Sequence, residues 1–226
     1  MNVKHIFFDL DHTLWDFETN SNRTFEYIFR RNRINVDLVD FHSVYRPINF
    51  RYWKLFREDK VSKANLRYRR LREAFDGIGV EIEDEMIHLL SEEYITYLAD
   101  HNDLFENAIH VLDYLKEKYE MHIITNGFEE VQRRKLKNSK LLPFFDQIVT
   151  SEKVGVKKPH PEIFKFALDA AGAEADKSVM IGDNFEADIL GAKKVGMQTI
   201  FCKFNGEIAT EKVPTVEALI ELKSLL

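Results

Sequence analysis

Short apolar runs recur along the chain at residues 6–8, 121–124, 147–149, 179–181 and 199–201, with stretches of helical spacing between them. Strands buried on both faces read as continuous apolar runs rather than alternating ones, so this spacing predicts a parallel sheet wrapped by helices. The connecting segments agree. Helical patterns cover residues 128–137, 161–171 and 187–195, with Gly172 and Gly196 just past the last two, where glycine ends helices. Pro161 suits a first-turn position. Strand-helix alternation of this kind is an α/β core with a Rossmann-like parallel sheet.

One stretch breaks the rhythm. Between residues 17 and 100 no strand pattern occurs, and aromatics such as Phe25, Phe29, Tyr52 and Phe56 fall at helical spacing among charges. This predicts a helical insertion after the first strand, with a turn at Gly77 and Gly79. The expected division is a core from 1–16 and 101–226 and an inserted helical unit from 17–100.

Composition narrows the class. Of 226 residues, 45% are hydrophobic and 31% charged, which places the chain among ordered globular proteins. A net charge of −6 repels polymeric nucleic acid but leaves room for a local basic pocket that holds one small anion. The lone cysteine, Cys202, cannot form an intrachain disulfide and lies in an apolar run, which fits a core position and a reducing cytoplasm. The apolar run at 6–8 is too short for a signal peptide, and no apolar stretch approaches a membrane span, so a cytoplasmic protein is expected.

Candidate chemistry gathers at strand ends, where open α/β sheets bind ligands. After the first run come Asp9 and Asp11, one residue apart. An extended strand aims both to one side, where they repel unless a cation neutralises them, and hard oxygen ligands suit Mg²⁺. The other reading of the pair is a turn closed by an Asx hydrogen bond. Thr125, Asn126 and Gly127 end the second run and offer a hydroxyl and backbone N–H groups to phosphate, although Asn-Gly is also a common turn. Lys158, between Lys157 and Pro159, is either a phosphate contact or a solvated surface lysine. Asp183 and Asp188 follow the fourth run; Asp183 can complete a metal site with Asp9, or the pair can simply favour a helix start.

Together these residues resemble the four motifs of the haloacid dehalogenase-like hydrolase superfamily: Asp9-Leu10-Asp11-His12-Thr13 the first, Thr125 the second, Lys158-Pro159 the third, and Gly182-Asp183 with Asp188 the fourth. The resemblance spans nearly the whole chain. It implies a Rossmann-like core with a small helical-bundle cap that closes over the substrate. Dehalogenating members lack the second aspartate of the first motif, whereas phosphatases use it as general acid and base, so Asp11 points to phosphate chemistry. Residues 8–15, 124–128 and 151–159 further resemble the house-cleaning pyrimidine 5'-nucleotidases.

The resemblance implies a mechanism. Asp9 is the nucleophile and Asp11 the acid and base; Asp9, the Asp11 carbonyl and Asp183 hold Mg²⁺; Thr125, Asn126, Gly127 and Lys158 hold phosphate oxygens; Asp188 orients Lys158 or a metal-bound water. The expected substrate is a small phosphorylated metabolite, a pyrimidine nucleoside monophosphate above all. Rival readings are a sugar-phosphate or phosphoglycolate phosphatase, a phosphotransferase using the same core residues, and a non-catalytic interaction module. Within the insertion, Asn49 and Trp53 are candidate substrate contacts, Trp53 equally a core residue of that unit, and the arginines at 67, 69, 70 and 72 read as a solvated helix face.

Overall fold

All five apolar runs become strands. The structure is a computed structural model that describes residues 2–226. The strands are β1 (His5–Phe8), β2 (Glu120–Thr125), β3 (Gln147–Thr150), β4 (Ser178–Gly182) and β5 (Gln198–Cys202), with a two-residue β6 (Thr215–Val216) at the edge. They form one sheet in the order β3-β2-β1-β4-β5-β6, and every pairing is parallel. β1 lies between β2 and β4, with Phe8 opposite Ile123 on one side and Ile181 on the other. Ile6, Phe7 and Phe8 are fully buried, which is why the run is continuously apolar.

The chain separates into two compact units, one running to Phe17 and resuming from Asn102 to Leu226, the other Glu18–His101. In the first, Phe7, Ile124, Val149 and Met180 on one sheet face pack on Ile163, Phe164 and Ala167 of the helix Pro161–Ala171. His160 caps that helix by accepting from the Glu162 N–H, and Gly172 closes it at φ 63°. Cys202 is buried, as expected of a core residue.

Two helical expectations for this unit change. A helix, α5 (Ala108–Lys116), is an addition: Ala108, Val111, Leu112 and Leu115 fall at i, i+3, i+4, i+7 on its buried face, but its N-cap, Asn107, is left-handed and makes no side-chain capping bond, so nothing marks its start. In place of one helix over 187–195 there is a π-helical turn, Phe185–Leu190, followed by a short α-helix, Gly191–Lys193. It begins early because Asn184 caps it, its side-chain oxygen accepting from the Ala187 N–H at 2.8 Å.

The second unit is helical, with α1 (Phe17–Arg31), α2 (Leu38–Arg57), α3 (Lys63–Gly77) and α4 (Asp84–Tyr97). Asp37 starts α2 by accepting from the Val39 and Asp40 N–H groups. Phe25 centres its core, with ring centroids 4.7 Å from Tyr45 and from Tyr94 and 5.0 Å from Phe41. Arg70 corrects the reading of a solvated arginine face. It shares a stripe with Leu66, Leu71 and Ala74 and turns inward over Tyr94, its Nη1 donating to Asn49 at 2.9 Å. Trp53 is half-buried, with Phe56 edge-on at 5.7 Å. Among the described residues no helix is long and apolar enough to cross a membrane.

Candidate active site

At the carboxyl end of β1 the backbone leaves the sheet abruptly. The Asp9 N–H still donates to the Ile181 carbonyl at 2.9 Å, but the N–H groups of Leu14 and Trp15 both turn back to the Leu10 carbonyl, at 3.0 and 2.9 Å. His12 takes a left-handed conformation, φ 62°, inside this loop. The turn opens at Leu10, between the two aspartates. Each carboxylate has its own set of partners.

Asp9 is met by Lys158, whose Nζ donates to Asp9 Oδ1 at 2.6 Å and to the Ile124 carbonyl at 2.7 Å, and lies 2.6 Å from Asp188 Oδ1. Lys158 is thus a buried ammonium and not a solvated surface lysine. Its position is set by Asn126: the Lys158 N–H donates to Asn126 Oδ1 at 2.8 Å, and Asn126 Nδ2 donates to the Lys158 carbonyl at 2.9 Å. The Lys158-Pro159 peptide is cis. The Asn126 side chain is committed to this clamp; the donor expected of it for phosphate is its backbone N–H.

Asp11 is held by two residues of α6 (Glu129–Asn138) that the motifs do not include. Lys135 Nζ donates to Asp11 Oδ1 at 2.5 Å and Gln132 Nε2 to Asp11 Oδ2 at 3.0 Å. The same Gln132 amide donates to Thr125 Oγ1 at 2.7 Å, and the Gly127 N–H donates to that oxygen at 3.1 Å. Thr125 Oγ1 therefore accepts twice, and its own proton is left to donate outward. Lys135 is buried, its ammonium 4.1 Å from the Trp15 ring. Spacing of three residues puts Gln132 and Lys135 on one helix face.

Asp183 accepts from Thr13 Oγ1 at 3.2 Å and from Asn205 Nδ2 at 3.0 Å. Asp188 sits in the π-helical turn and accepts from the Asn184 N–H at 3.1 Å. A Cβ on Gly182 would collide with the Asp188 carboxylate, so this turn needs glycine there.

Carboxylate oxygens of Asp9, Asp183 and Asp188 all lie within 4.8 Å of one another. Their residues are only 8%, 9% and 1% exposed, and against these three charges stands the ammonium of Lys158. Burial pushes the Asp9 carboxyl up to about 7, Lys158 opposing and the charges of Asp188 and Asp11 adding to it. Burial, then the charges of Asp9 and Asp188, raise Asp183 well above the usual carboxylate range. For Lys158, burial acts downward but the Asp188 and Asp9 charges prevail and raise it. The cluster is short of positive charge and made of hard oxygen donors, so its residues fit a divalent cation such as Mg²⁺.

The structure thus gathers Asp9, Asp11, Thr125, Asn126, Gly127, Lys158, Asp183 and Asp188 in the first unit, in three bonded sets around Asp9, Asp11 and Asp183. Asn49 and Trp53 belong to the second unit, where Asn49 is buried and accepts from Arg70. Gln132, Lys135 and Asn205 are additions that sequence reasoning missed.

Comparison with known proteins agrees with this geometry. A profile described as haloacid dehalogenase-like hydrolase matches residues 6–202. The chain is 32% identical over 220 residues to the pyrimidine 5'-nucleotidase PynA of Streptococcus pneumoniae, covering 96% of this chain and 91% of that one. It is also 32% identical over 218 residues to a glyceraldehyde 3-phosphate phosphatase of Pyrococcus abyssi, covering 89% and 82%. Among solved structures, the HAD-hydrolase YfnB of Bacillus subtilis bound to magnesium superposes with a TM-score of 0.89 at 27% identity, over 99% of this chain and 98% of that one.

Proposed function

We propose that this chain, which belongs to the haloacid dehalogenase-like hydrolase family, is a Mg²⁺-dependent phosphatase that carries the phosphoryl group on Asp9 and acts as a 5'-nucleotidase on pyrimidine nucleoside monophosphates. The observation that carries the reading is the pairing of two differently held carboxylates: Asp9 buried against Lys158, and Asp11 beside it under Lys135 and Gln132.

In this mechanism an Asp9 oxygen attacks phosphorus in line with the ester bond. The new P–O bond forms as the bond to the leaving alkoxide breaks, and protonated Asp11 gives that alkoxide its proton. Asp11, now a carboxylate, then takes a proton from water, whose oxygen attacks phosphorus and frees Asp9 and inorganic phosphate. Lys158 and the Thr125 hydroxyl, with the backbone donors of Asn126 and Gly127, hold the equatorial oxygens where transition-state charge spreads. Asp188 keeps Lys158 in place, and Lys135 and Gln132 keep the Asp11 carboxyl oriented. Asp9, the Asp11 carbonyl and Asp183 would hold Mg²⁺, which supplies the positive charge that keeps Asp9 ionised beside a phosphate dianion.

The inserted helical unit is assigned the role of a cap and the source of substrate choice, with Asn49 and Trp53 among its candidates. The pyrimidine assignment draws on the likeness to a pyrimidine 5'-nucleotidase. A second reading, a triose- or other sugar-phosphate phosphatase, draws on the equal identity to glyceraldehyde 3-phosphate phosphatase.

The test is Mg²⁺-dependent phosphate release from UMP, dUMP, dTMP, AMP, glyceraldehyde 3-phosphate, phosphoglycolate and p-nitrophenyl phosphate, with Asp9→Asn as control. Highest kcat/KM on pyrimidine monophosphates supports the nucleotidase. A preference for a sugar phosphate keeps the mechanism and replaces the substrate. Asp9→Asn is expected to lose a factor of about 10⁴ or more, roughly 6 kcal/mol of barrier; near-normal turnover in it would overturn the mechanism.

A further inference from the structure

At the other end of the sheet, where β1 and β2 begin, two imidazoles and a carboxylate meet. His5 opens β1 and pairs in register with Glu120, which opens β2; His122 lies two residues further on, opposite Phe7. Alternation along a strand puts His5 with Phe7, and Glu120 with His122, on the same face. His5 Nδ1 lies 3.2 Å from His122 Nε2 and 3.7 Å from Glu120 Oε2, and ligand atoms of all three fall within 4.8 Å of one another. The two rings are inclined by only 23° with centroids 5.5 Å apart, so they meet edge to edge with the two nitrogens face to face.

We propose that His5, His122 and Glu120 form a second metal site, separate from the catalytic carboxylates, that takes a borderline-soft divalent ion of the Zn²⁺ class. Tetrahedral coordination with Zn–N bonds of 2.0–2.1 Å sets neighbouring donors about 3.3 Å apart. The observed 3.2 and 3.7 Å are within a few tenths of an ångström of that spacing, and on binding the two rings must turn from facing each other toward a common point. Imidazole nitrogens favour Zn²⁺, Co²⁺ and Ni²⁺ over Mg²⁺, so the donor set discriminates against the ion that suits the catalytic cluster.

Burial is arranged for such a site. His122 is 1% exposed and held by the Phe7 ring, centroids 4.7 Å apart, whereas the Glu120 side chain is 65% exposed and can swing to close the third position while water takes the fourth. An ion here would join the first residue of β1 to the start of β2 and brace these two neighbouring strands.

The experiment uses the full chain with the catalytic site saturated by Mg²⁺. Zn²⁺ is titrated by calorimetry, and Co²⁺ serves as a spectroscopic probe of tetrahedral ligation. One equivalent of either ion is expected to bind over Mg²⁺ and to raise Tm by a few degrees. Glu120→Gln, an exposed change that leaves the core untouched, should weaken binding tenfold or more, and His5→Gln or His122→Gln should abolish it. Phosphatase turnover should survive Glu120→Gln, and binding should survive Asp183→Asn. No binding in the wild type, or binding lost in Asp183→Asn and kept in Glu120→Gln, would overturn the proposal. Because the readouts are binding and Tm, they stand whether or not the phosphatase reading holds.

Discussion

At the scale of single residues, the least expected feature is how Asp11 is held. Lys135 reaches it from inside the fold, its ammonium 2.5 Å from Asp11 Oδ1 and 4.1 Å from the Trp15 ring, so the lysine has two reasons to stay buried. Replacing it by methionine keeps the stem volume and removes the charge. If Lys135 positions the acid and base, Lys135→Met should lower kcat about ten- to a hundredfold with KM nearly unchanged, and Lys135→Arg should recover part of the loss. Steady-state kinetics on the preferred phosphomonoester decides it; a rise in KM at constant kcat would assign Lys135 to substrate binding instead. Asp9, Asp11 and Asp183 were legible in the sequence because strand ends and short spacing mark them, and Lys158 only through its likeness to the family's third motif. Lys135 and Gln132 were not, since beside Arg133, Arg134 and Lys137 they look like an ordinary solvated helix face. His5 and His122 were silent for another reason. Only the register of two strands 117 residues apart in the chain brings them together.

Among elements, the strands were readable and the turns after them were not. A strand buried on both faces announces itself by composition, whereas β6 contributes two residues, Thr215 and Val216, too few for any pattern. The π-helical turn at Phe185–Leu190 was misread as α because its cause is tertiary: Asp188 must reach Lys158 at 2.6 Å while also accepting from the Asn184 N–H. That packing leaves no room at Gly182, where an added Cβ would run into the Asp188 carboxylate. Gly182→Ala should therefore displace Asp188, loosen Lys158, and cost about 1–3 kcal/mol of stability as well as activity. Gly127→Ala runs into Gln132, which is buried but uncharged, so displacing it should cost less stability than displacing a carboxylate paired with Lys158. Urea unfolding of the two variants, side by side, checks the order; equal losses would show that the π-helical turn gives way freely.

For the whole molecule, acid is the informative stress, because the sheet unit buries His122 and the helical unit half-buries His42, each held below the ordinary imidazole range. Burial, then the charge of Arg46, lowers His42 in the helical unit to about 4, and burial, then the charge of His5, lowers His122 in the sheet unit to about 4, from an ordinary 6.5. A histidine whose folded pKa lies below its unfolded value resists the proton only when folded. Its contribution is complete above pH 6.5 and is lost as pH falls from 6.5 toward 4, by at most about 3 kcal/mol for each group. Asp9 works in the opposite sense: its carboxyl, held up at about 7, is costly when ionised, so protonation as pH falls from 7 relieves the folded state. Wild-type stability between pH 7 and 5 thus reports a difference of opposing slopes. Comparing wild type with a His42→Gln/His122→Gln double variant, in chelator, cancels the aspartate contribution and leaves the histidines. The gap between the two should shift by a few kcal/mol between pH 7.5 and 5, the wild type losing ground as acid is added. Parallel curves would mean that neither imidazole is kept neutral by the fold, and single variants would then locate which unit admits the proton.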